Sequence, residues 1–84
     1  MAKILYFASL AETLGIRSEQ FELTEDCASV ADLVALLRMR GEPFDSTFDG
    51  TARVLVAVNQ EMGDLDMPIG GNDEIAFFPP VTGG

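Results

Sequence analysis

Only one stretch of the chain sustains helical periodicity, and strand-forming sequence lies on both sides of it. In "SVADLVALLRMRG" the apolar residues Val30, Leu33, Val34, Leu36 and Leu37 recur at three- and four-residue spacing. Ser29 stands where a helix N-cap belongs, with Asp32 three residues on. Arg38 and Arg40 fall in the last turn, where cations complement the helix dipole, and Gly41 ends it. The rest of the chain must supply a sheet for this helix to pack on.

That sheet is legible in pieces. "AKILYFA" predicts a first strand over residues 2–8, with Ile4 and Tyr6 on one face and Leu5 and Phe7 on the other. Both faces are apolar, so one packs the core and the other meets a neighbouring element or a partner. "SLAETLG" predicts a short helix capped by Ser9, with Glu12 at the capping-box position and Gly15 as its stop. "SEQFELT" predicts an amphipathic strand with Phe21 and Leu23 inward. "GEPFDSTFDGTA" reads as a turn-rich loop with Phe44 and Phe48 tucked beneath it. "RVLVAVNQ" reads as a central strand covered on both faces. "EMGDLDMPIGGND" predicts a short strand or turn series in which Pro68 excludes a central ladder position. "DEIAFF" is the last strand.

The order is strand, short helix, strand, long helix, loop and two or three further strands. It predicts an α+β fold of the ubiquitin-like β-grasp type: a mixed sheet of four to five strands gripping one long helix. A ferredoxin-like arrangement would need a second long helix late in the chain. Residues 1–78 are expected to form the domain, and residues 79–84 a flexible tail.

Chemistry carried by side chains is scarce. The chain has no histidine, which removes His-based triads and His metal sites. Cys27 is a lone cysteine among acidic neighbours, which raise a thiol pKa, so it reads as inert. The carboxylate pairs Glu25–Asp26, Asp64–Asp66 and Asp73–Glu74 lie in predicted turns, where acidic residues serve the backbone. "GGND" leads into a strand, whereas phosphate loops lead into helices. Fourteen acidic residues against five basic ones give a net charge of −9. That balance argues against nucleic acid and against anionic membranes, and suits a basic protein partner. The apolar run near the N-terminus is too short for a secretory signal, and a cytoplasmic protein is expected.

The last nine residues, "AFFPPVTGG", carry the functional argument. Pro79 and Pro80 hold extended geometry and cannot donate to a sheet ladder, so they end the last strand. From Pro79 to Gly84 the chain can reach about 20 Å, enough to thread a narrow channel. Gly83 and Gly84 let a pocket close around bare backbone. The carboxylate of Gly84 is unreactive as it stands. Adenylation with ATP by another protein would activate it, after which sulfur would give a thiocarboxylate and an amine a conjugate. Strand alternation puts Phe77 inward and Phe78 outward. If the first strand pairs with the last, Phe7 joins Phe78 in one exposed patch.

With "KILYFASLAETLG", "VLVAVNQ" and "DEIAFFPPVTGG" the chain resembles the small subunit of molybdopterin synthase, a family of sulfur carriers, over nearly its whole length. The resemblance implies that Gly84 is adenylated by a ubiquitin-activating-type adenylyltransferase and then converted to a thiocarboxylate by way of a sulfur donor protein. It implies that Pro79, Pro80, Val81, Thr82 and Gly83 insert with Gly84 into the large subunit of a heterotetramer. Sulfur then passes to cyclic pyranopterin monophosphate. It further implies that Phe7 and Phe78 face the partner, that the small subunit has no activity alone, and that no cofactor is permanently bound. In "GGNDE", Asn72 takes a turn position where relatives have glycine, which Asn tolerates. A carrier for thiamine synthesis and a ubiquitin-like modifier share the tail chemistry. A non-catalytic β-grasp binding module would need neither Gly84 nor an activating enzyme.

Overall fold

The computed structural model describes residues 1–80, so Val81, Thr82, Gly83 and Gly84, expected to insert and react, lie outside the described residues. The elements in chain order are β1 (Ala2–Tyr6), α1 (Ser9–Leu14), β2 (Ser18–Phe21), α2 (Val30–Arg38), α3 (Phe44–Phe48), β3 (Leu55–Val58), β4 (Glu61–Gly63) and β5 (Glu74–Phe78). Among the described residues the strands form one five-stranded sheet in the order β2-β1-β5-β3-β4. β1 and β5 pair in parallel at its centre, and the other pairings are antiparallel. This mixed sheet with α2 across one face is the β-grasp fold.

The pairing register explains the core. Tyr6, Phe77 and Val56 form one row across three strands, and Ile4, Ile75 and Val58 form the next. All six are buried, and they face Val30, Leu33 and Leu37 of α2, which are fully buried. Phe77 stacks on Tyr6 at 6.1 Å and meets Phe48 edge-on at 5.0 Å. Such ring pairs add about 0.5–1.5 kcal/mol each beyond their buried area.

Local signals hold where the contacts are local. Ser29 Oγ accepts from the Asp32 amide at 3.3 Å, and Asp32 Oδ2 accepts from the Ser29 amide at 3.1 Å, a complete capping box. Gly15 ends α1 in the left-handed region at φ 79°.

Four local expectations need correction. The N-cap of α1 is Ala8, with φ 53° and ψ −130°, and no side chain caps the helix. Ser9 is instead the first helical residue, because the Phe7 carbonyl accepts from the Leu10 amide across a tight turn centred on Ala8 and Ser9. β1 accordingly closes at Tyr6, short of residue 8. α2 ends at Arg38, so Arg40 lies beyond it. The segment expected to be loop holds α3, whose Phe48 is buried and Phe44 half-buried. The two aromatics are four residues apart, one helical turn, and a short helix lets both reach the core together.

Candidate functional site

Among the described residues no helix lies over the sheet face opposite α2. Ser18, Leu5, Ala76, Ala57 and Met62 form one row across all five strands on that face. The next row pairs Phe78 with Leu55. The Phe7 amide donates to the Phe77 carbonyl at 3.1 Å, which continues the parallel register and brings Phe7 level with Phe78. Phe7 is 48% exposed and Met62 58% exposed. Leu5, Leu55 and Phe78 are half-buried, whereas Phe77 on the inner face is 1% exposed. The alternation of Phe77 inward and Phe78 outward is therefore observed.

An apolar patch thus lies at the end of β5 from which Pro79 and Pro80 lead away. Sequence reasoning placed Phe7 and Phe78 there and missed Leu5, Leu55 and Met62. Leu5 had the same signal as Phe7, the two-residue alternation of β1. Leu55 was hidden in a strand taken as covered on both faces, and Met62 in a segment read as a short strand or turn series with no face assigned.

The fold carries a second constellation on the α2 side. Tyr6 Oη donates to Glu19 Oε2 at 2.9 Å, and Arg40 donates to both oxygens of Glu19 at 2.9 and 2.7 Å. The Arg40 guanidinium lies between the rings of Phe21 and Phe44, at 5.5 and 4.9 Å from their centroids. Burial pushes the Tyr6 hydroxyl up, and the hydrogen bond to Glu19 and its charge add to that. Burial also works to raise Glu19, but its hydrogen bonds from Arg40 and Tyr6 outweigh burial and hold it low. This network joins β1, β2 and the turn after α2, and it is structural: it faces away from the apolar patch.

Cys27 is buried, and burial followed by the charge of Asp32 raises its thiol pKa. Among the described residues no cluster of three or more His, Cys, Asp or Glu could hold a metal ion. No helix among them is long and apolar enough to cross a membrane.

A family model, the ThiS family, matches residues 4–84. The chain belongs to the ThiS family. Two relatives span it end to end. The molybdopterin synthase sulfur carrier subunit of Haemophilus influenzae is 36% identical and covers 100% of both chains. The Escherichia coli subunit of the same name is 34% identical, also over 100% of both. Among solved structures, small archaeal modifier protein 1 of Haloferax volcanii superposes with a TM-score of 0.77 at 29% identity, covering 95% of this chain and 97% of that one. The ThiS-family chain thus has the ubiquitin-like β-grasp fold that its element order predicted.

Proposed function

We propose that this ThiS-family protein is the sulfur-carrier subunit of a molybdopterin synthase. The observation that carries the reading is the placement of Phe7 beside Phe78 at the root of the segment running on to Gly84. An apolar anchor there would hold a partner while Pro79, Pro80, Val81, Thr82, Gly83 and Gly84 enter its pocket. End-to-end similarity to curated sulfur carrier subunits supports the choice among carriers.

In this scheme the Gly84 carboxylate attacks the α-phosphorus of ATP on an adenylyltransferase, releasing pyrophosphate and forming an acyl-adenylate. A hydrosulfide equivalent from a sulfur donor protein then displaces AMP and leaves a thiocarboxylate. Within the complex formed with the large subunit, that sulfur passes to cyclic pyranopterin monophosphate. The chain supplies the carrier and the docking face, and the partners supply the acid–base groups, in keeping with its lack of histidine. The reactions belong to the cytoplasm, where ATP is available.

A second reading, protein modification, is favoured by the likeness to small archaeal modifier protein 1. The same acyl-adenylate would then be captured by a lysine amine. Both readings are tested by intact-mass measurement after incubation with ATP, a cognate adenylyltransferase and a sulfur source. Exchange of one oxygen for sulfur in the C-terminal peptide is the expected result. Adducts on lysines of other proteins would favour the modifier. An unchanged mass with an active enzyme would reject both and leave a binding module.

A further inference from the structure

At the end of the sheet from which Pro79 leaves stand two arginines of a strongly acidic molecule. The net charge is −9, and there are five lysines and arginines. Arg38 is paired with Asp45 at 2.8 Å and Arg40 with Glu19 at 2.7 Å. Lys3 lies toward the opposite end of the sheet, beside Glu74 in the register. The other two, Arg17 and Arg53, make no salt bridge or side-chain hydrogen bond among the described residues.

Topology brings these two to the same end of the sheet. The Arg17 carbonyl accepts from the Tyr6 amide at 2.9 Å, so Arg17 stands at the end of β1. It is exposed and lines a hollow of about 850 Å³ with Leu5, Phe7 and Glu12. Arg53 is exposed too, two residues before Leu55, whose register partner is Phe78. It lines a groove of about 330 Å³ with Thr13, Thr47 and Pro79. Three strand spacings separate β2 from β3, so the two backbones stand roughly 14 Å apart with Phe7 and Phe78 between them. Glu61, Asp73 and Glu74 gather at the opposite end of the sheet, at or next to the starts of β4 and β5.

An apolar centre with charged residues around it is the usual anatomy of a protein interface, and arginine is the cation enriched there. Its planar fork suits a carboxylate in two-point contact. We propose that Arg17 and Arg53 are the charge-reading rim of the docking face, each meeting a carboxylate of the protein that covers Leu5, Phe7 and Phe78. The partner surface is then apolar at its centre and acidic at two points on either side of the pocket mouth. Arg17 and Arg53 would repel a partner whose rim is basic there. This rests on the reading that the apolar face receives the large subunit of molybdopterin synthase.

The test is calorimetric titration of the full chain with a purified large subunit, using wild type, Arg17→Glu, Arg53→Glu and Lys3→Glu. Each substitution changes the net charge by the same amount, and only the first two fall at the rim. Arg17→Glu and Arg53→Glu are each expected to weaken binding about tenfold. Arg17→Gln and Arg53→Gln should weaken it less, and Lys3→Glu should leave it unchanged. Melting curves followed by circular dichroism confirm that every variant is folded. Unchanged or tighter binding by the rim variants overturns the inference while leaving the functional reading intact. So does equal weakening by Lys3→Glu, since net charge and not position would then be at work. Failure of the wild type to bind the large subunit removes the functional reading, and this inference with it.

Discussion

The Tyr6 hydroxyl and the Glu19 carboxylate meet at 2.9 Å, although each lies on a different strand and Glu19 also takes both hydrogen bonds from Arg40. Ile4 is the register partner of Glu19, so this carboxylate is on the inner face of the sheet, at its edge. A charge on a core-facing position is tolerated because its oxygens are satisfied by three donors. Removing the phenol oxygen with Tyr6→Phe is expected to cost about 1–2 kcal/mol, the range for a hydrogen bond to a charged group. Glu19→Leu should cost more, since it leaves both the phenol and Arg40 without their acceptor. Urea denaturation of the two variants measures the difference, and equal stability of Glu19→Leu and wild type would show the network to be dispensable.

The same pair contributes to the pH dependence of stability on both sides. Glu19 is held below the ordinary carboxylate range in the fold. Its contribution is therefore present above the unfolded value of about 4.3 and lost as pH falls through the depressed folded value. Tyr6 is raised, so its contribution is present below the unfolded value of about 10 and lost as pH rises beyond it. Tyr6 is the sole tyrosine, so tyrosinate absorbance reads this group alone. Its titration is expected above the ordinary value and together with alkaline unfolding. Tyr6→Phe should remove the tyrosinate signal and flatten the alkaline limb of stability. Ordinary titration of Tyr6 in the folded protein would contradict the hydrogen bond.

Two turns hold non-glycine residues in backbone conformations that favour glycine. Ala8 has φ 53° with ψ −130°, and Gln60 has φ 69° in the turn between β3 and β4. Relief of such strain exceeds the extra chain entropy that glycine brings. Ala8→Gly and Gln60→Gly are each expected to stabilise by about 0.5–1 kcal/mol. The more distant site also separates stability from docking: Gln60→Gly should leave partner binding alone, whereas Ala8 adjoins Phe7. Thermal melting decides, and a lowered melting temperature in both would refute the strain argument.

Adjacent phenylalanines should behave in opposite ways. Phe77 is 1% exposed and packed on Tyr6 and Phe48, so Phe77→Ala is expected to cost about 3–5 kcal/mol. Phe78 faces the other way and is half-buried, so Phe78→Ser should cost about 1 kcal/mol or less and leave the fold intact. Its deficit should show in sulfur transfer with the large subunit, reduced tenfold or more together with Phe7→Ser. Full activity of the Phe7→Ser, Phe78→Ser double variant would dismiss the patch as a docking face.

What was readable along the chain is what neighbouring residues decide. The capping box of Ser29 and Asp32, the stop at Gly15 and the opposite facing of Phe77 and Phe78 depend on contacts within a few residues. Their cause is backbone geometry, which repeats every 3.6 residues in a helix and every two in a strand. The wrong cap on α1 has the same origin. Ser9 satisfies the local rule, but the Phe7–Leu10 turn joining β1 to the helix decides the backbone there, at the cost of strain at Ala8. Only the folded sheet decides that β1 lies parallel to β5. That pairing joins the two ends of the chain, brings Phe7 level with Phe78 and, together with the β1–β2 and β3–β5 pairings, sets Arg17 and Arg53 at one end of the sheet. No periodicity records it, because many pairings of five short strands satisfy the same alternation. The choice is made by which rows of side chains fill the space under α2 once loops of very different length have closed.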